Sequence, residues 1–239
     1  MSYNFIFFYV DTIKGNSSDN HKSMEREDIQ LFINSIKKHH PKDKVIHCTD
    51  NLTDTFENID KTHRERFNMD ELMVGKIKCF SRFRIKTTSI YLDPDILIMK
   101  AIPIKHIEDK ADVFLLKRSF DLDAKIPKTF RKLEYENHVS KFLGEVYPYI
   151  ACFVILKSQV FWEDCLKMFD DISNNYKNWF GDQEIFKILV KEKKYKFGFL
   201  EEKEFACPPQ YLSGKSRPFT VHFKGKNNKK LIKKYYTYI

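Results

Sequence analysis

Short apolar runs alternate with segments of helical periodicity along most of the chain, and this alternation constrains the fold more than any other feature. Runs rich in β-branched and aromatic residues predict buried strands at 4–10, 44–48, 89–92, 111–116, 149–156, 196–200 and 220–223. Apolar residues recur at helical spacing over 23–40, 70–86, 159–176 and 182–193. The pattern predicts an α/β fold with a mainly parallel sheet and helices on both faces. In such folds ligands bind beyond the carboxyl ends of the strands.

The chain shows no internal repeat and no linker rich in Pro, Gly or Ser. We therefore predict a single domain over residues 1–239, with a polar loop at 11–20 and a lysine-rich tail from about residue 226. The lysines that crowd this end are Lys224, Lys226, Lys229, Lys230, Lys233 and Lys234.

The formal net charge of +9 favours anionic partners: nucleic acid, an anionic membrane surface or a small phosphorylated ligand. The charge alone does not choose among these classes. Five cysteines without a CxxC pair indicate neither a disulfide framework nor a zinc ribbon. The N-terminal segment has no signal-peptide pattern, and no apolar run has the length of a membrane span. These observations predict a cytoplasmic location.

Two carboxylates interrupt an apolar stretch in the middle of the chain. Asp93-Pro94-Asp95 lies between the apolar runs 90–92 and 96–98. Charged groups placed there lose several kcal/mol of solvation unless a cation or hydrogen-bond donors meet them. A hard divalent metal that bridges the carboxylates to a diphosphate is one such partner. A simple Asp-Pro-Asp turn is the alternative.

The strand followed by Asp-x-Asp resembles the nucleotide-sugar motif of GT-A glycosyltransferases, in particular the glycogenin-like and bacterial galactosyltransferase-like group called family 8. Three other segments match the same family in the same order, and the resemblance extends over most of the chain. They are Lys76 to Ser81, Gly181-Asp182-Gln183, and Val221 to Lys226. The resemblance implies the GT-A fold, with a mainly parallel mixed sheet and helices on both faces.

The family resemblance also implies roles for these residues. Asp93, Asp95 and His222 would bind Mn²⁺ or Mg²⁺, and Asp93 would also contact the donor. Asp182 and Gln183 would be the catalytic pair facing the transferred sugar, although Asp182 is also a possible N-cap.

Further donor contacts are implied at Lys76, which lies near the donor in this family, and at Gly225, where the backbone approaches the diphosphate. Where the family has a lysine three residues beyond this glycine, the chain has Asn228, so that Lys226 or Lys229 would contact the diphosphate. The segment 149–153 replaces the family's Asn-Ala-Gly-Val, which leaves the sugar identity open.

The end of the first strand is where the resemblance places contacts to the base and ribose. Tyr9 could stack on the base and Asp11 could accept from a ribose hydroxyl, with Val10 between them, although a tyrosine at a strand end is often part of the core. These residues favour a UDP-sugar over a GDP-sugar.

The sequence therefore predicts a metal-dependent glycosyltransferase that moves a sugar from a UDP-sugar to an acceptor hydroxyl with retention of configuration. The expected partners are the nucleotide-sugar and a glycan, lipid-linked or protein acceptor, with no specific nucleic acid. The tail, which includes Tyr235, Tyr236 and Tyr238, could hold the enzyme at an anionic membrane surface.

Two alternatives belong to other classes. A phosphatase of the haloacid dehalogenase type also uses Asp-x-Asp, but its motif continues to Thr or Ser where this chain has Leu97. A protein that binds nucleic acid or an anionic membrane surface would explain the net charge.

Overall fold

A computed structural model describes residues 2–11, 24–66, 72–83, 85, 87–126, 129–130, 133–134, 141–172, 177, 180–212 and 217–239. Apart from Asp11, the predicted polar loop at 11–20 lies outside the described residues. The predicted helix ends at residues 23, 70, 86 and 176 also lie outside them.

Within this part of the chain, the strands are β1 (Asn4–Phe8), β2 (Lys44–Thr49), β3 (Lys61–Arg64), β4 (Ser89–Leu92), β5 (Ile96–Ile98), β6 (Val113–Lys117), β7 (Thr129–Phe130), β8 (Leu133–Glu134), β9 (Tyr149–Leu156), β10 (Phe197–Glu201) and β11 (Thr220–His222). The α-helices are α1 (Arg26–His39), α2 (Leu72–Arg82), α3 (Ile104–Ile107), α4 (Leu143–Val146), α5 (Val160–Asp171), α6 (Gly181–Glu192), α7 (Glu202–Phe205), α8 (Lys226–Lys229) and α9 (Ile232–Tyr236).

In the described part of the chain, seven strands form one sheet in the order β10-β6-β9-β4-β1-β2-β3. All neighbouring pairs are parallel except those made by β9, which runs antiparallel to both β4 and β6. The sheet is therefore mixed and mainly parallel, as predicted. The carboxyl ends of β1, β4 and β6 meet at one edge, where the amino end of β9 also lies.

Alternate side chains of β1 supply two separate cores, because successive residues of a strand point to opposite faces. Phe5 and Phe7 pack with the apolar face of α1 on one side. Ile6 and Phe8 pack with α2, α5 and α6 on the other. Helices thus cover both faces of the sheet and keep the strand ends at a defined edge.

Helix α1 illustrates how local sequence sets these elements. The Glu25 and Asp28 side chains form a reciprocal capping box at its start, with the Glu25 N–H donating to Asp28 Oδ2 over 3.2 Å. The helix ends at His39, just ahead of Pro41, as the sequence predicts.

The lysine-rich tail is folded onto the domain. Strands β5 and β11 pair antiparallel as a separate ribbon, and Phe223 and Ile232 pack in an apolar cluster with Leu97. Helix α9 lies against α1, and Lys233 pairs there with Glu25 and Glu27 at 3.1 and 2.6 Å. Although the composition changes at about residue 226, the chain beyond this point is folded and packs against the rest of the domain.

Some elements differ from the sequence-based prediction. Strand β3 was not predicted, because its residues Lys-Thr-His-Arg lie at the sheet edge and carry no apolar pattern. The described helix α5 ends at Asp171. All five cysteines are buried and unpaired. In the described part of the chain, no helix combines the length and the apolar character needed to cross a bilayer.

Candidate functional site

A cavity of about 380 Å³ lies at the edge where β1, β4 and β6 end. Its lining includes the residue that follows each of these strands, namely Tyr9, Asp93 and Arg118. Ligand sites in α/β sheets lie at this edge because loops leave the strands there and helices do not cover it. The cavity is therefore the candidate site.

Asp93, Asp95 and His222 come together in this cavity. One possible ligand atom from each lies within 4.8 Å of the others. The antiparallel ribbon explains their proximity, because its register pairs His222 with Ile96, the residue after Asp95. The Phe223 N–H also donates to the Asp95 carbonyl over 2.8 Å. Two carboxylates and an imidazole are a donor set that fits Mn²⁺ or Mg²⁺.

The electrostatics around Asp95 favour its ionised form. Its Oδ1 lies 3.3 Å from His222 Nε2, and its Oδ2 lies 3.4 Å from Lys229 Nζ. Burial opposes the charge, but these two partners hold the pKa of Asp95 well below its ordinary value. Burial also opposes a charged His222, whereas contacts with Cys152 and Asp95 raise its pKa above the ordinary value.

Lys76 links the cluster of Asp93, Asp95 and His222 to the start of α6. Its Nζ donates to Asp93 Oδ1 over 2.7 Å and to the Ala151 carbonyl over 3.3 Å, and lies 3.7 Å from Asp182 Oδ2. Burial would lower the pKa of Lys76, but the two carboxylates raise it overall. Burial raises the pKa of Asp182, although Lys76 opposes that effect. A buried cation between two carboxylates fixes their positions at the cavity wall.

Asp182 and Gln183 lie in the first turn of α6. The helix begins at Gly181 after Phe180, so Asp182 is not the N-cap residue, although its Oδ1 accepts the Gln183 N–H over 2.8 Å. Both side chains line the cavity, as the resemblance implies for the catalytic pair. Gln183 Oε1 accepts a hydrogen bond of 2.9 Å from Arg118 Nη2.

The segment after β11 contributes Gly225 and two lysines to the cavity wall. Gly225 has a φ of 85° and a ψ of 158°, a conformation that only glycine adopts without strain. Lys229 is buried beside Asp95, whereas Lys226 is exposed and outside the cavity lining. The structure thus favours Lys229 of the two predicted candidates, and it adds Lys224 to the lining.

Of the predicted base and ribose contacts, the structure brings only Tyr9 into the cavity wall. Val10 is buried in the core on the α2 face of the sheet. Asp11 lies outside the lining, where it accepts the Tyr9 hydroxyl over 2.9 Å and pairs with Arg26 at 2.5 Å. The Val10 side chain is therefore packed in the core, and the Asp11 carboxylate is bonded to Tyr9 and Arg26, at the end of β1.

The sequence analysis missed Arg118, whose side chain is only 4% exposed and lines the cavity. Its Nε donates to the Tyr147 carbonyl over 2.9 Å. The available signal was its position two residues beyond the strand predicted at 111–116, at the edge where ligands bind. Three residues of the segment 149–153, namely Ile150, Ala151 and Cys152 at the start of β9, also line the cavity.

Comparisons with family models and with curated protein sequences find no match. Solved structures do match. The glycosyltransferase GlyE of Streptococcus pneumoniae TIGR4 superposes with a TM-score of 0.62 at 12% identity, over 98% of this chain and 60% of the GlyE chain. The galactosyltransferase LgtC, solved with donor and acceptor sugar analogues, gives a TM-score of 0.55 at 13% identity, over 93% of this chain and 87% of LgtC.

An active-site mutant of LgtC matches with a TM-score of 0.55 at 12% identity, over 93% of this chain and 87% of LgtC. This chain thus spans less than two thirds of GlyE but most of LgtC. At 12–13% identity the likeness shows the fold alone, which is the GT-A fold.

Proposed function

We propose that this protein is a metal-dependent glycosyltransferase that transfers a sugar from a UDP-sugar to an acceptor hydroxyl. The observation that carries the proposal is the joint placement of Asp93, Asp95 and His222 with Lys76 and Lys229 in one cavity of a GT-A fold. The GT-A fold of the chain favours this activity over the phosphatase alternative. The neighbours GlyE and LgtC are themselves glycosyltransferases.

The leaving group of such a transfer is a nucleoside diphosphate, on which negative charge grows as the glycosidic bond breaks. Asp93, Asp95 and His222 would hold Mn²⁺ or Mg²⁺ at this point. A cation bound there supplies Lewis-acid stabilisation of the diphosphate. Lys229 and Lys76 add positive charge to the same wall of the cavity, where low solvent exposure strengthens their effect.

Asp182 and Gln183 would orient the transferred sugar and stabilise the oxocarbenium-like centre. Lys76 fixes the first of these side chains, and Arg118 fixes the second. The proposal includes retention of configuration and a uridine base, and Tyr9 in the cavity wall is the residue proposed to stack on that base. The acceptor is proposed as a glycan, a lipid-linked sugar or a protein.

Calorimetric titration of UDP and GDP, with and without Mn²⁺, tests this function. We expect UDP to bind only with the metal, and Asp95→Ala to weaken that binding by about 100-fold or more, since loss of even a supporting residue around a metal costs about 10- to 100-fold. Asp109→Ala is the matched control, because Asp109 is exposed and lies in the segment after α3, away from the cavity.

Metal-independent binding, or equal binding by Asp95→Ala, would contradict the proposed donor site. Duplex binding that depends steeply on salt and survives replacement of both Asp93 and Asp95 by Ala would instead support the nucleic-acid alternative.

The proposal includes a cytoplasmic enzyme that contacts an anionic membrane through the outer face of the C-terminal helices. Lys230 and Lys234 are exposed, and Tyr238 is 65% exposed. Lys229 and Ile232 are buried and Lys233 is ion-paired, so only part of the lysine-rich segment is available for such contact.

A further inference from the structure

The buried guanidinium of Arg118 lines the cavity but lies outside the cluster of Asp93, Asp95 and His222. Two of its N–H groups are engaged, Nε with the Tyr147 carbonyl and Nη2 with Gln183 Oε1, both at 2.9 Å. Nη1 has no acceptor among the described residues. Since Arg118 lines the cavity, the unused donors are accessible from there.

The charge of Arg118 also lacks a direct counter-ion in the described part of the chain. Arg118 forms no ion pair with any carboxylate there. The nearby carboxylates of Glu202 and Asp121 favour the charged guanidinium without direct contact, and Glu202 Oε2 accepts the N–H groups of Ser119 and Phe120 at 2.8 and 3.0 Å. Burial lowers the pKa of Arg118, but a guanidinium stays protonated at neutral pH. A buried, charged donor that faces a cavity is suited to an anionic ligand group.

The sheet order shows which part of a donor would reach Arg118. Along the edge, Tyr9 follows β1, Asp93 follows the adjacent β4, and Arg118 follows β6, with β9 between β4 and β6. Neighbouring strands lie about 4.8 Å apart, so the ends of β4 and β6 are separated by about 10 Å. Tyr9 and Arg118 therefore lie on opposite sides of Asp93.

A donor with its base near Tyr9 and its diphosphate near Asp93 would extend its sugar towards Arg118. Gln183, one of the residues proposed to orient the sugar, is in contact with Arg118. Lys125, on the loop after β6, lines the same cavity and adds positive charge. On the basis of the proposed function, we infer that the transferred sugar is a hexuronic acid whose carboxylate binds the unused N–H groups of Arg118.

Competitive calorimetry with Mn²⁺ tests this inference in the wild-type protein. The probes are UDP, UDP-glucuronate, UDP-galacturonate and their neutral counterparts UDP-glucose and UDP-galactose. We expect at least one uronate donor to bind about 10- to 100-fold more tightly than its neutral counterpart, because a charge-assisted hydrogen bond is then made in a buried site. Equal affinities, or a preference for the neutral sugars, would overturn the inference. If UDP still binds in that case, the proposed function stands.

Arg118→Met and Arg118→Lys identify the residue responsible. We expect Arg118→Met to lose the preference for the uronate donor, and Arg118→Lys to keep only part of it, because lysine retains the charge but not the planar fork. Lys105→Met, an exposed change on α3, is the matched control and should keep the full preference.

UDP affinity of each variant reports whether its donor site is folded. A preference that persists in Arg118→Met would overturn the role of Arg118. A wild-type protein that binds none of the nucleotides would overturn both this inference and the proposed function.

Discussion

Lowering the pH should destabilise the protein through His47, whose ring contacts Tyr9 in the cavity wall. Its ring is fully buried in β2 and stacks on Phe7 with the centroids 4.8 Å apart. Its Nε2 lies 2.9 Å from the Tyr9 carbonyl, and its Nδ1 has no partner among the described residues. Burial lowers the pKa of His47 from 6.5 to about 4, because a charged ring would place a second N–H without an acceptor in the core.

The sign of the pH effect follows from this lowered pKa. The unfolded chain takes up a proton at His47 near pH 6.5, whereas the folded protein does so only near pH 4. The contribution of the neutral ring to stability is therefore present above pH 6.5 and is lost as the pH falls towards 4. The difference between the two pKa values corresponds to about 3 kcal/mol in the free energy of unfolding.

Urea unfolding at a series of pH values between 7.5 and 4 measures this effect. The comparison is with His47→Gln, whose amide can donate to the Tyr9 carbonyl but does not titrate. Burial also lowers the pKa values of His39, His40 and His63, so only the difference between the two proteins is informative. We expect the wild type to lose about 3 kcal/mol more than the variant. Parallel profiles would refute the argument.

Three further predictions concern the candidate site and the C-terminal helices. Lys76→Met should lower the free energy of unfolding by about 3–5 kcal/mol, because it leaves buried Asp182 and the adjacent Asp93 without their shared cation. Urea titration measures this loss, and Lys78→Met on the same helix is the control. Equal losses in the two variants would contradict this role of Lys76. Gly225→Ala should cost about 1–3 kcal/mol, measured in the same way. It should also weaken UDP binding. Among the described residues, no atom outside the two chain neighbours of Gly225 lies within 4 Å of the added Cβ, so the backbone conformation carries the cost. An unchanged stability would contradict this strain. The double variant Lys230→Glu, Lys234→Glu should bind phosphatidylserine vesicles with about 10-fold or more lower affinity, measured by cosedimentation. Each exposed lysine contributes about 1 kcal/mol near an anionic surface. Neutral vesicles are the control, and unchanged binding would argue against membrane contact through α8 and α9.

Much of the fold was predictable from local pattern. The runs at 89–92 and 149–156 form strands with the predicted bounds, and the helix that begins with Gly181-Asp182-Gln183 lies where helical spacing placed it. Local pattern could not give the direction of β9, because an apolar run reads the same in a parallel and an antiparallel strand. It also missed β3, whose edge position removes the need for apolar residues.

The candidate site was likewise predictable from the sequence only in part. The sequence by itself identified Asp93 and Asp95, because two charges inside an apolar stretch need a partner, and it singled out Lys76, Asp182, Gln183 and His222 through the order of family-like motifs. Only the tertiary structure showed that the β5–β11 ribbon brings His222 to Asp95. It also showed that Lys229 rather than Lys226 lines the cavity, and that Arg118 lies beside Gln183. These are contacts between residues far apart in the chain. Their distances depend on strand order and register, which no local pattern of residues specifies.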